Sequence, residues 1–237
     1  MPYKTKPNLN LQTFGKFGNI KWVKSTGLID YGLSMDWMLS KVKNIQEGKE
    51  KEIVWLLEHP DIYTAGTSSK SSDLISSNNI KILKTHRGGQ WTWQGPGQRV
   101  VYLILNLNNK KKDVRWYVNK LEELIIDTLS EISIKSERRQ NFPGVWIKRK
   151  INNVCEIKKI AAVGIRISRW IAYHGISINI NPDLNKYNGI IPCGVKDGGI
   201  TSLSDQGINI SMDKFDEVMS SKFDKLFSKN SLSKKTF

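Results

Sequence analysis

Residues 159–180 read KIAAVGIRISRWIAYHGISINI. Lys159–Ser168 and Ile176–Ile180 both alternate apolar residues with small or polar ones at a period of two, the pattern of half-buried strands. A turn near Trp170 makes them an antiparallel pair. Working outward, Val145–Lys148 is a further strand, turned at Pro143-Gly144, and Val100–Leu107 is the most apolar strand of the chain. Ile53–Leu57 is a short buried strand stopped by His59-Pro60, with Ile62–Ala65 as its continuation and Asn19–Lys24 as another short strand. Asp30 and Asp113 can cap helices. Behind the first, Tyr31, Met35, Met38 and Val42 recur at helical spacing. Behind the second, Val114, Tyr117, Val118, Leu121, Ile125, Leu129 and Ile132 form one stripe. A third helix is expected over Asp213–Phe227. Strands adjoin strands, and the strict strand–helix–strand alternation of a doubly wound sheet is missing. The expected fold class is therefore α/β in the broad sense (α+β), a mixed, mostly antiparallel sheet flanked by helices.

The chain has 237 residues, 39% of them hydrophobic. That size suits a single domain over 19–227, with a flexible lead-in over 1–18 and a basic tail over 228–237. No run approaches the ~18 apolar residues of a membrane span. The first residues carry basic side chains with no apolar stretch behind them, so neither a secretory signal nor a membrane partner is expected. Two cysteines, Cys155 and Cys193, cannot build a disulfide framework or a Cys-only zinc site. A cytoplasmic location is the expectation. Thirty-seven basic against 22 acidic residues leave a net charge of +15. This is either scattered lysine usage or a surface for a polyanionic partner. A basic nucleic-acid-binding module is one such reading, though no recognised binding motif accompanies the charge.

Three stretches could carry chemistry. Arg87-Gly88-Gly89-Gln90-Trp91-Thr92-Trp93-Gln94-Gly95-Pro96-Gly97-Gln98 places four glycines and a proline between apolar strands. Glycines let backbone approach a ligand closely, or merely allow turns. Arg87 could hold a carboxylate or phosphate as a fork. Trp91 and Trp93 would share a face and could wall an apolar channel. In the second stretch Lys159 shares parity with Ala161, Val163, Ile165 and Ile167, so its amine would start on the apolar side as a candidate acid/base, or snorkel to solvent as a strand-end lysine. Ala162 and Gly164, on the other face, leave room for a ligand. In the third, Pro192 and Gly194 put Cys193 on a turn, as a candidate nucleophile or an inert small hydrophobe. His59, His86 and His174 do not lie at ligand spacing, so no metal site is expected; His174 reads as a core histidine.

These pieces stand in a family order. Leu57-Glu58-His59-Pro60-Asp61-Ile62-Tyr63-Thr64-Ala65-Gly66, Arg87–Gln98, Pro143-Gly144-Val145-Trp146, Lys159–Arg166, Tyr173-His174-Gly175-Ile176, Pro192-Cys193-Gly194 and Thr201-Ser202-Leu203 together resemble the lipoyl(octanoyl) transferase family, over roughly residues 20–215. The resemblance implies the fold of the biotin/lipoate protein ligase catalytic domain. It implies transfer of an octanoyl group from octanoyl-acyl carrier protein to a lysine of lipoyl domains, those of 2-oxoacid dehydrogenase complexes and of the glycine cleavage protein. It also implies Cys193 as nucleophile and Lys159 as its acid/base partner. Arg87, Gly88, Gly89, Gln90, Trp91, Thr92, Trp93, Gln94, Ala162, Val163, Gly164, Gly175, Ile176 and Ser177 would line the acyl site, with no cofactor and no nucleic acid. The chain departs from the family at Trp93-Gln94, where Tyr-His is usual, so a titrating group is lost there. An ATP-dependent lipoate or biotin protein ligase on the same fold is the alternative. It would make an acyl-adenylate and would not need Cys193.

Overall fold

In chain order the elements are β1 (Leu11–Phe17), β2 (Ile20–Leu28), α1 (Tyr31–Gln46), β3 (Ile53–Glu58), β4 (Ile62–Ala65), β5 (Lys81–Lys84), β6 (Trp91–Gln94), β7 (Gln98–Asn106), α2 (Val114–Glu131), β8 (Glu137–Arg139), β9 (Phe142–Ile151), β10 (Val154–Ser168), β11 (Ile171–Asn179), β12 (Gly199–Ile200) and α3 (Met212–Phe227). They come from a computed structural model that describes residues 9–17, 20–77, 79–151, 154–192 and 199–227. The expected nucleophile Cys193 and the expected basic tail over 228–237 lie outside the described residues.

The hairpin forms as its periodicity predicts. β10 and β11 pair antiparallel from Ala161 opposite Ile178 to Ser168 opposite Ile171. Arg169 and Trp170 take φ of +47° and +64°, the two left-handed residues of a turn whose twist matches the strands. The main sheet runs β1-β2-β3-β7-β11-β10-β9-β8, with β12 alongside β10. Among the described residues, only β2 with β3 and β10 with β12 are parallel pairs there. Neighbouring residues on one strand divide the core. Val54 and Leu56 pack with Leu103, Leu121, Ile125 and Phe215 on the face covered by α2 and α3. Trp55 and Leu57 pack with Met38, Val42 and Tyr102 on the α1 face. A second sheet, β5-β4-β6, carries a third cluster of Tyr63, Trp91, Trp93 and Tyr187. The mixed, mostly antiparallel sheet flanked by helices is the expected fold. Both helix caps are as read, with the Asp30 and Asp113 side chains accepting from the Leu33 and Trp116 amides.

Two expectations need correction. The lead-in over 1–18 is not loose throughout, because β1 pairs with β2. Phe14 packs tilted and Phe17 edge-on against Trp22, with ring centroids 6.2 and 5.3 Å away, which gives this edge strand an apolar anchor. The second concerns parity. Register slips between Lys159 and Ala161, where partners Trp146 and Val145 are adjacent, so Ile160 is the extra residue of a β-bulge. Ile160 and Ala161 both enter the α2/α3 core. Lys159 is thereby separated from the Ala161-Val163-Ile165-Ile167 row.

Candidate active site

A cavity of about 400 Å³ opens between β6, the 87–90 loop, and the β10–β11 hairpin. Its outer rim is exposed at Gly89, Asn141 and Pro143, and Val114 at the start of α2 is 47% exposed. Its inner wall is buried and comprises Thr92, Gln94, Val100, Tyr102, His174 and Ser177. Gly175 is required in that wall, because a Cβ there would lie 2.2 Å from the Val101 carbonyl oxygen of the neighbouring strand. An apolar lining broken by a few polar groups, in a space of this size, is the usual form of a small-molecule site.

Lys159 is the one lysine in the lining among the described residues, and it is only 4% exposed. Its Nζ donates to the Pro143 carbonyl at 2.9 Å and sits 4.7 Å from the centre of the Trp146 ring. A carbonyl and a ring face both attract an ammonium, which is how a cation is tolerated here. Pro192, immediately before Cys193, lines a recess with Lys159, Ala162, Ser177 and Thr92. Gly199 and Ile200 pair with Lys158 and Lys159. Pro192 and Gly199, the described residues that flank 193–198 in sequence, therefore both lie by the part of β10 that carries Lys159.

Arg87 has a different task from the one expected. Its Nη2 donates to the Thr64 carbonyl (2.6 Å), Thr64 Oγ1 (2.8 Å) and the Gln90 carbonyl (2.7 Å), and its Nε donates to Thr64 Oγ1 (3.2 Å). Nη1 donates to the Gly88 carbonyl at 3.1 Å. The fork shapes the loop rather than waiting for a carboxylate. The loop in turn docks on the hairpin, where the Gly88 amide donates to the Ile165 carbonyl at 3.0 Å.

Behind the cavity lies a buried aromatic and imidazole layer. His59 Nδ1 is 2.6 Å from the Ile29 carbonyl, so that nitrogen carries the proton. Its Nε2 then accepts from the Tyr102 hydroxyl at 2.7 Å. His174 stacks on Tyr173 and meets Tyr102 edge-on. It has φ of +61°, a left-handed conformation that breaks strand alternation. Burial pushes His59 down to about 4, and burial together with the positive charge of Arg87 and Arg166 pushes His174 down to about 3. Burial raises the Tyr102 phenol well above its usual range. Both imidazoles are neutral at physiological pH.

This has a consequence for stability. The unfolded chain protonates each histidine near 6.5, while the fold resists until about 4 and about 3, so stability falls as pH drops below 6.5. Asp216, raised to about 6 by burial, acts in the opposite sense, because the fold takes its proton before the unfolded chain does. Between pH 6 and 4 the unfolded chain holds up to two extra protons and the fold one, a net slope of about 1.4 kcal/mol per pH unit. Urea unfolding at several pH values in that window should show stability rising with pH; a flat or falling curve would contradict it.

Thirteen of the sixteen residues expected at the site line the cavity: Arg87, Gly88, Gly89, Gln90, Thr92, Gln94, Lys159, Ala162, Val163, Gly164, Gly175, Ile176 and Ser177. Trp91 and Trp93 do not. They belong to the cluster with Tyr63 and Tyr187, and their indole nitrogens donate to the Lys70 carbonyl and to Asp61. Alternation along β6 sends Thr92 and Gln94 to the cavity instead. The lining also includes Val100, Tyr102, Val114, Val118, Asn141, Phe142, Pro143, Ile165 and His174, which the sequence motifs do not assign to the site. The only signal was the adjacency of His174 to Gly175, since a left-handed residue beside a glycine marks a local break. Among the described residues no three His, Cys, Asp or Glu side chains come together as a metal ligand set, and no helix is long and apolar enough to cross a membrane.

A family profile described as the lipoyl protein ligase A/B catalytic domain matches residues 30–224. The octanoyltransferase of Anaplasma marginale (strain Florida) is 46% identical over 209 residues, which is 88% of this chain and 96% of that protein. This chain belongs to the octanoyltransferase family. The octanoyltransferase of Ehrlichia canis (strain Jake) is 48% identical over 210 residues, again 88% of this chain and 96% of its own length. Among solved structures, a bi-partite lipoate protein ligase from Thermoplasma acidophilum superposes with a TM-score of 0.65 at 12% identity, over 88% of this chain and 83% of that one. At that identity the likeness concerns the fold. Octanoyltransferases are acyltransferases, and membership makes this chain an enzyme of that class with lipoate-related chemistry.

Proposed function

We propose that the cavity receives the octanoyl chain of octanoyl-acyl carrier protein, and that the acyl group passes through a Cys193 thioester to a lysine of a lipoyl domain. The observation that carries this reading is the buried amine of Lys159 in the cavity lining, with Pro192, which precedes Cys193 in sequence, in a recess that Lys159 also lines, and Ile200 paired with Lys159. A free thiol, with pKa near ~8.5, is only a few per cent ionised at neutral pH. An ammonium ~4 Å away at effective dielectric ~20 favours the thiolate by up to ~4 kcal/mol.

In the first half-reaction the Cys193 thiolate attacks the thioester carbonyl, the bond to the pantetheine sulfur breaks, and the Lys159 ammonium gives that sulfur a proton. In the second, the acceptor amine attacks the acyl-Cys193 carbonyl and loses a proton to neutral Lys159. Cys193 leaves as thiolate and an amide remains. The thioester donor is already activated, so no nucleotide enters the balance. The net charge of +15 suits an acidic carrier protein as donor.

Intact-mass spectrometry after incubation with octanoyl-acyl carrier protein tests the reading. The wild-type chain should gain one hydroxylamine-labile octanoyl group, and Cys193→Ser should not. An octanoyl group persisting in Cys193→Ser as a thioester, labile to neutral hydroxylamine, would overturn the assignment.

A further inference from the structure

The stripe of α2 contains one carboxylate in the middle of its apolar face. Glu122 is 5% exposed among the buried Leu121, Leu124 and Ile125. It follows Val114 and Val118 at spacings of four, so the helix row that walls the cavity continues into this side chain. A buried carboxylate costs several kcal/mol unless hydrogen-bonded or paired. Its two oxygens have separate partners. Oε1 accepts from the Gly144 amide at 2.9 Å, and Oε2 stands 3.2 Å from Arg138 Nε.

The Gly144 amide belongs to the same peptide group as the Pro143 carbonyl, and that carbonyl accepts from Lys159 Nζ at 2.9 Å. In a planar trans peptide the N–H and C=O point in opposite directions. The order is therefore carboxylate, N–H, C=O, ammonium, a line in which each hydrogen bond polarises the next. The peptide has little freedom to be anything else. Gly144 has φ of +123°, and a Cβ on it would lie 2.5 Å from the Ala161 carbonyl oxygen and 3.2 Å from Lys159 Cε.

We propose that Glu122 is a positioning residue for Lys159, acting through the Pro143–Gly144 peptide. It turns that peptide so that its carbonyl holds the amine at the cavity wall. The proposal rests on the reading of Lys159 as the proton carrier.

The test uses the full chain in a Cys155→Ser background, since Cys155 is an exposed free thiol. Glu122→Asp keeps the charge and retracts the acceptor; Glu122→Gln keeps the acceptor and drops the charge. Lys159→Ala is the control. Glu122→Asp should lower kcat about tenfold with little change in donor KM, because sub-ångström misplacement of a reacting group costs one to two orders of magnitude. It should also move the pH midpoint of iodoacetamide labelling at Cys193 upward. Glu122→Gln should recover most of that kcat and restore the midpoint. A role confined to pairing with Arg138 gives the reverse order. Loss in Glu122→Gln equal to or greater than in Glu122→Asp, or wild-type behaviour of both beside an inactive Lys159→Ala, overturns the proposal. An active Lys159→Ala with an unchanged labelling profile identifies the lysine reading as the failure instead.

Discussion

Lys159→Ala is expected to lower octanoyl transfer by ~10²–10⁴-fold, the usual range for removing a positioned acid/base group. Only 4% of the residue is exposed, and its Nζ is held by the Pro143 carbonyl and the Trp146 ring. Among the described residues no other lysine lines the cavity. The proposed mechanism needs two separable things of this side chain: a positive charge beside the thiol and a proton that can leave and return. Lys159→Arg distinguishes them. A guanidinium keeps the charge but does not release a proton in a protein. Cys193 labelling in Lys159→Arg should therefore keep its low-pH reactivity while turnover stays near the Lys159→Ala level. Single-turnover acylation and deacylation rates are the measurement. Full turnover in Lys159→Arg would leave charge as the only role.

Asp216→Asn is expected to destabilise the fold by about 3–5 kcal/mol, the cost of leaving a buried charge without its partner. The pair ties β7 to α3, and neither side chain meets solvent, with exposures of 4% for Arg99 and 0% for Asp216. Arg99 Nη2 donates to Oδ2 at 3.0 Å. Nε lies 2.9 Å from Oδ1 but makes no aligned hydrogen bond, so that contact is electrostatic. The raised Asp216 carboxyl shows that burial outweighs the attraction of Arg99. Replacing both residues with apolar ones of similar volume should then restore most of the loss, since such swaps are often neutral or stabilising. Urea midpoints for Asp216→Asn, Arg99→Met and the apolar double variant close the cycle. A double variant no more stable than either single would contradict it.

The β10–β11 hairpin, both helix caps and the α2 stripe were legible because each depends on neighbours two to four residues apart. The glycine-rich 87–97 loop and Lys159 were legible as candidates because their residue types are unusual between apolar strands. The faces were harder to read. One inserted residue at Ile160 changed the row to which Lys159 belongs, and alternation on β6 turned Trp91 and Trp93 into a separate core. Nothing local marks either outcome, since both depend on which strand lies alongside.

Chain order and periodicity were enough to specify a mostly antiparallel sheet, its helices and a short set of reactive residues, because those follow from spacing along one backbone. The packed molecule settled which side chains meet: Arg87 gripping Thr64 of β4, His174 turned into the cavity wall, and Glu122 reaching the peptide that holds Lys159. Contacts between segments far apart in the chain are chosen by burial and hydrogen-bond satisfaction across the whole core, and no window of sequence contains both partners.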